Sequence, residues 1–398
     1  MQYVVPILLT LVLTACGGGG GSSTSVSPSV AQSPLKVVVN YTNTTTSFNS
    51  AVGDLNGDGL EDVVISSWSN NMNGVVPSRI FVFIQNADGT MNDHTQTYLG
   101  TITTNGSQHV FIADFDNDGH NDILVPGFND GTQGELPVTG VLFWNSPGQQ
   151  FVAQTLPATM AHGACVGDLN GDGKIDYMAA GFVTGGAFVN NGNRTFTPNT
   201  ALLDGNTDFS ACAIIPNHDG TVSVAYGNHN INGYSGDNIV TSDVNFNLVS
   251  VANIAKYTNG DLIDLVAADF NLDGNMDFVA IYNGFLPSPA QRNVFLSSGT
   301  DTFAFSQTLD TLGNDYCAYT TTVNGQPAVY FAGNALGDRI YTITNTGVTV
   351  YNASAFTDMA NLEPNSSQAQ AGVPYHGTGG KLYMLQYLNL STFYTEAM

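Results

Sequence analysis

Residues 51–66, AVGDLNGDGLEDVVIS, decide how the whole chain is read. A small, apolar run leads into an acidic loop and a β-branched run leaves it, the pattern of two strands joined by a polar turn. The pattern returns as FIADFDNDGHNDILVPG from Phe111, CVGDLNGDGKIDYMAAG from Cys165 and VAADFNLDGNMDFVAIY from Val266. Looser copies fill the gaps: CAIIPNHDGTVSVAYG from Cys212, CAYTTTVNGQPAVYFAG from Cys317 and AGVPYHGTGGKLYMLQY from Ala371. With the first loop position at 54, 114, 168, 215, 269, 320 and 375, the spacing is about 47 to 60 residues, which suits one four-stranded propeller blade per copy. Cys165, Cys212 and Cys317 each stand three residues before that position, so the looser copies align with the intact ones.

A second element recurs between the loops, a strand followed by a Gly/Asn turn, as in FVFIQNADGTM, VLFWNSPGQQF, AFVNNGNRTF, VFLSSGTDTF and IYTITNTGVTV. These read as hairpins joining the third and fourth strands of each blade. The expectation is an all-β, seven-bladed β-propeller over residues 34–398. Its last copy runs out one strand short, and residues 35–42, LKVVVNYT, are expected to supply the missing outermost strand and close the ring.

Composition agrees. Among 398 residues there are 44 Gly and only 10% charged side chains, which favours short strands and polar turns over helices. The 32 acidic against 8 basic residues give a formal charge of −24, which opposes binding to nucleic acid and to anionic lipid surfaces. Such an excess strains a compact fold unless cations sit within it.

The four intact loops offer places for those cations. In the first, oxygen side chains stand at positions 1, 3, 5 and 9, namely Asp54, Asn56, Asp58 and Asp62, with the carbonyl of Leu60 available at position 7. Calcium takes six to eight hard oxygen ligands, and alternate residues of a tight turn supply them on one side. The same reading gives Asp114, Asp116, Asp118, the His120 carbonyl and Asp122; Asp168, Asn170, Asp172, the Lys174 carbonyl and Asp176; and Asp269, Asn271, Asp273, the Asn275 carbonyl and Asp277. About four calcium ions are expected, and magnesium suits the loops less well. Position 12 is Ile65, Val125, Ala179 and Ala280, where an EF-hand or a dockerin needs an acid, so neither alternative fits. Copy four has Ile215 and Ser223 at positions 1 and 9, keeping Asn217 and Asp219, and copies six and seven lack the acids altogether; all three are expected to hold no ion.

The repeated loops and their flanking strands resemble the FG-GAP (VCBS-type) repeats of the integrin alpha-subunit propeller and of many bacterial surface proteins. That resemblance implies a cell-surface binding or adhesion module for a protein or glycan ligand, with calcium in a structural role. The alternative is a polysaccharide-active enzyme, a lyase or hydrolase, with its site at the axial channel. A scaffold subunit is a third reading.

Residues 1–15, MQYVVPILLTLVLTA, are apolar and too short to span a bilayer comfortably. Leu13-Thr14-Ala15-Cys16 resembles a bacterial lipobox, which implies cleavage before Cys16, lipidation of its thiol and an anchor at the outer membrane or cell surface. A plain secretory signal is the alternative, and both export the protein. The Gly/Ser-rich residues 16–33 read as a flexible tether.

Ligand-binding candidates come from two places. Trp68, His229, Tyr234 and Phe285 lie in the longer connections opposite the acidic loops, on the face where recognition loops are expected. Five residues before each loop start stand Asn49, His109, Gly163, Ser210, Asp264, Asp315 and Gln370, so that His109, neighbouring His162, Asp264 and Asp315 are candidates for a shared axial site or for the lining of a wet channel. Arg79, Arg292 and Arg339 begin the third strand of three blades and suit either an anionic ligand or a structural contact. Export permits a disulfide between Cys165 and Cys212; with Cys317 left over, buried reduced cysteines are the preferred reading.

Overall fold

The computed structural model describes residues 37–38, 46–69, 79–104, 108–128, 138–159, 161–180, 185–199, 209–227, 238–253, 260–284, 290–299, 302–309, 311, 318–331, 339–352, 372–380, 382–388 and 392–397. These residues form an all-β propeller, with a single turn of helix at Thr95–Tyr98.

The strands make seven antiparallel sheets of four strands each. Six sheets are continuous in sequence. The first holds Thr46–Gly53, Asp62–Ser69, Ile80–Gln85 and Met91–Asp93; the second Phe111–Ala113, Asp122–Val125, Val138–Trp144 and Val152–Thr159; the third Gly163–Gly167, Asp176–Ala180, Gly185–Asn190 and Phe196–Asn199. The fourth holds Ala211–Pro216, Val222–Gly227, Asn238–Ser242 and Leu248–Asn253; the fifth Gly260–Ala268, Asp277–Gly284, Gln291–Ser297 and Phe303–Thr308; the sixth Ala318–Val323, Gln326–Phe331, Arg339–Thr344 and Gly347–Asn352. The remaining sheet is composite. Gly372–His376, Leu382–Leu388 and Thr392–Ala397 come from the carboxyl-terminal end, and Val37–Val38 adds the fourth strand. Val37 pairs with Phe393 and Val38 with Thr392, so the amino-terminal strand does complete the last sheet.

Burial follows position within a sheet. Second strands are covered on both faces by neighbouring sheets, so Val63, Val64 and Ile65, or Phe278 through Tyr282, are buried without alternation. Fourth strands meet solvent, and Pro157 and Pro198 interrupt two of those edges, which blunts further pairing. Apolar clusters fill the space between successive sheets. Leu55, Val64 and Val82 pack with Ile123, Val125 and Phe143; Phe115 and Trp144 with Tyr177 and Phe188; and Met178 with Cys212 and Val224. Further round, Ala225 packs with Phe278, Val279 with Tyr341, and Tyr330 with partly buried Leu382. Between the composite sheet and the first, the described links are polar. Tyr375 Oη donates to the Gly89 carbonyl at 3.0 Å and Thr378 Oγ1 to the Ala87 carbonyl at 2.8 Å.

Candidate metal-binding rim

Each intact loop connects the first two strands of its sheet. Gly53 pairs with Asp62, Ala113 with Asp122, Gly167 with Asp176 and Ala268 with Asp277, so each loop spans the same ladder end. The first-position aspartate organises the turn by accepting backbone N–H groups: Asp54 takes those of Gly57 at 2.7 Å, Asp58 at 3.2 Å and Gly59 at 2.8 Å. Asp168 repeats all three contacts, and Asp114 and Asp269 repeat the last two. Gly59, at φ +82, takes the left-handed conformation that the reversal needs, as do Gly119, Gly173 and Gly274.

The ninth-position aspartate is fully buried in all four loops. One Asp62 oxygen accepts the Leu55 N–H at 2.8 Å and the other the Gln85 N–H at 2.9 Å, tying the loop to the third strand of its sheet. Asp122 repeats this with Phe115 and Asn145, Asp176 with Leu169 and Asn190, and Asp277 with Phe270 and Ser297. Burial pushes the Asp62 and Asp122 carboxyls up to about 7 and those of Asp176 and Asp277 to about 6. Carboxylates elsewhere in each loop push the same way, and the two N–H donors oppose them.

The donor set is all oxygen, and in the second loop one carboxylate oxygen from each of Asp114, Asp116 and Asp122 lies within 4.8 Å of the others. The remaining loops carry Asn56, Asn170 or Asn271 at the third position. Carboxylates raised chiefly by burial, set among other hard oxygen donors, fit a calcium ion.

Loose copies differ in backbone as well as in side chains. In the fourth, Ile215 pairs with Ser223 and Pro216 with Val222, so the ladder zips through positions where intact loops hold ligands. In the sixth, pairing runs on to Val323 and Gln326, leaving Asn324-Gly325 as a two-residue turn. In the last, His376 pairs with Leu382.

Contacts that sequence reading missed centre on the second loop position. Leu55, Phe115, Leu169 and Phe270 are buried, and their N–H groups serve the ninth-position aspartates. Their carbonyls are used too. Asn145 Nδ2 donates to the Leu55 carbonyl at 2.7 Å, Asn190 Nδ2 to that of Phe115 at 2.6 Å, and Gln326 Nε2 to that of Phe270 at 2.8 Å. Gln85 Nε2 makes the matching bond to the His376 carbonyl at 2.9 Å, across the composite sheet. For Gln85, Asn145 and Asn190 the signal was a polar amide closing the third strand, as in FIQ, FWN and FVN, whereas Gln326 opens the second strand of its sheet.

The set five residues before each loop forms a belt of ties between sheets. Asn49 Nδ2 donates to the Gln108 carbonyl at 2.5 Å, His109 Nε2 to the His162 carbonyl at 3.0 Å, and Ser210 Oγ to the Leu262 carbonyl. Asp264 accepts the Ala318 N–H at 3.0 Å and the Leu265 N–H at 2.9 Å. At Gly163 a Cβ would lie 2.8 Å from the Ala211 nitrogen, so close approach of the neighbouring strand takes the place of a side-chain bond. Burial lowers the His109 pKa and raises that of Asp264 to about 7. His109 therefore spends its Nε2 proton on backbone, while the His162 ring meets the edge of Phe128 with centroids 5.6 Å apart. Asp315, Tyr234, His229, Phe285, Gln370, Cys317 and Cys16 lie outside the described residues, and Trp68 is described only as a strand residue opposite Ser47.

Of the two readings of Arg292, the structural contact is the one seen: it is 1% exposed, with its guanidinium 4.9 Å from the Phe331 ring centroid in the next sheet. One reading is corrected. Cys165 and Cys212 are not reduced thiols but form a disulfide that joins the first strands of the third and fourth sheets. The shared register of the two cysteines on adjacent sheets places them opposite each other.

Among the described residues no helix is long and apolar enough to cross a membrane. No curated protein sequence matches the chain significantly. Solved structures of similar shape include an Agrocybe aegerita lectin, studied for specific recognition of non-reducing terminal N-acetylglucosamine, at 15% identity and a TM-score of 0.47, covering 78% of this chain and 80% of that one. An ancestral GH74 enzyme matches at 12% identity and 0.48, covering 92% of this chain and 51% of that one. The V. cholerae biofilm matrix protein Bap1 matches at 10% identity and 0.36, covering 91% and 66%. None of these likenesses bears on ligand or activity. In sequence, the model of the FG-GAP-like repeat matches residues 54–125, which hold the first two acidic loops. Residues 54–125 thus carry FG-GAP-like repeats, set in an all-β propeller whose third and fifth sheets repeat the same loop.

Proposed function

We propose that the seven sheets are the blades of one closed ring, that calcium occupies the four intact loops on one rim, and that the protein is an exported binding module. The observation that carries this reading is the fourfold repetition of one buried aspartate with the same two N–H partners, beside carboxylates that need a counter-charge. The metal would be held by the side chains at positions 1, 3, 5 and 9 with the carbonyl at position 7, and its contribution would be structural. The Cys165–Cys212 disulfide supports export, since such bonds persist in oxidising compartments. Cys16 would then carry the lipid anchor.

The ligand is a protein or a glycan, bound by the long connections on the rim opposite the loops. The backbone ties made by His109 and Asp264 weigh against an axial acid–base pair. A glycan-array screen of the calcium-loaded protein, run beside incubation with acidic polysaccharides, tests this. Binding without release of shortened products is expected, and product release would replace the binding reading with the enzyme one.

A further inference from the structure

Two cations already sit on the carboxylates of the second and third loops. Lys174 Nζ lies 2.6 Å from Oδ2 of Asp172, the fifth-position residue of its own loop. Arg194 reaches across from the third sheet to the second loop, where Nε and an Nη both lie 2.8 Å from Oδ2 of Asp116, leaving that side chain only 9% exposed.

One hairpin, residues 190–195, arranges both cations. Its Gly192, at φ +73, lies so close to the Lys174 stem that a Cβ there would be 3.4 Å from Cε. Asn193 and Arg194 follow with φ of +47 and +63, a conformation that costs non-glycine residues energy and is kept where the surroundings hold it. Those surroundings are visible. The guanidinium lies 4.9 Å from the Trp144 ring centroid, Gln154 Nε2 donates to the Arg194 carbonyl at 3.1 Å, and Trp144 Nε1 donates to Gln154 Oε1 at 2.8 Å. The first and fifth loops differ in having no Lys or Arg contact among the described bonds. Their fifth-position residues Asp58 and Asp273 accept from the amides of Asn56 and Asn271, as Asp172 does from Asn170, and His218 donates to the Gly274 carbonyl.

We propose that Lys174 and Arg194 act as built-in competitors for carboxylate oxygens, so that the third and second loops bind calcium more weakly than the first and fifth and fill last. The inference rests on reading the loops as calcium sites. Calcium affinity in such loops follows ligand charge, and a resident cation both cancels one charge and must be displaced or shared. The extra carboxylate of the second loop, Asp116 where the others have Asn, is thereby neutralised.

Calorimetric titration of the chelator-treated full chain with calcium alone tests this. Two tight and two weak steps are expected, and Asp168→Asn and Asp114→Asn should each delete a weak one. Lys174→Gln and Arg194→Gln should each tighten one weak step about fivefold, the scale of a partly exposed ion pair, while Lys174→Arg and Arg194→Lys stay near the parent. Four equal steps, or neutral variants that leave every affinity unchanged or weaken one, would overturn the competition. Absence of any calcium uptake would instead remove the reading of the loops on which it rests.

Discussion

Leu55 carries three loads at once. Its side chain fills the space between the first two sheets, its N–H holds Asp62, and its carbonyl receives Asn145 from the next sheet. Asn145 also donates to the Asn121 carbonyl at 2.9 Å, so Asn145→Ala would leave one buried and one partly buried carbonyl without that amide. A loss of ~1–3 kcal/mol is expected in urea denaturation, with no change in the number of calcium ions bound. Asp264 gives a pH signature of its own. Its carboxyl stands near 7 in the fold against 3.8 in a free chain, so between those values the folded state keeps a proton that the unfolded state releases. Stability from this group is therefore full below about pH 4 and lost as pH rises through about 7. Denaturation of the calcium-saturated protein from pH 5 to 8 should show this fall, and Asp264→Asn should flatten it. The loop carboxylates were legible because acids return at one fixed spacing in four separate stretches of the chain. Leu55, Phe115 and Phe270 were not, since their roles are played by backbone atoms that any residue possesses.

At the scale of elements, the disulfide and the zipped loops show what holds a sheet whose loop lacks the repeated acids. The fourth sheet lacks the first- and ninth-position carboxylates, yet Cys212 on its first strand is bonded to Cys165 on the sheet before it. The bond closes a loop of 47 residues, and replacing both cysteines by serine should cost ~2–4 kcal/mol, read as a lower denaturant midpoint. The cysteine register was visible in sequence, but pairing depends on how neighbouring first strands face each other, which spacing alone does not state. The belt through Asn49, His109, Ser210 and Asp264 follows the same rule. Its members were found by position, and their chemistry was settled by the backbone of the adjacent sheet.

For the whole molecule, the balance of charge dominates. A formal −24, with acids repeated in four loops at the same ladder end of their sheets, makes the protein repel itself. Chelation should lower the melting temperature by several degrees or more, because an ion present at a hundred times its dissociation constant adds ~2.7 kcal/mol per site. An unchanged melt in excess chelator would remove calcium from the proposal. The four-stranded sheets were legible from spacing and the composite last sheet from the short final copy, whereas the polar links between that sheet and the first were not. Those links set how the molecule bears mechanical load. Among the described residues, a pull on the amino-terminal segment is met at Val37 and Val38 by their pairs with Phe393 and Thr392, while the Glu61 carboxylate grips the His376 backbone N–H at 2.5 Å further in. Tension on that segment would peel the outermost strand first and leave the inner clasp between the last and first sheets engaged.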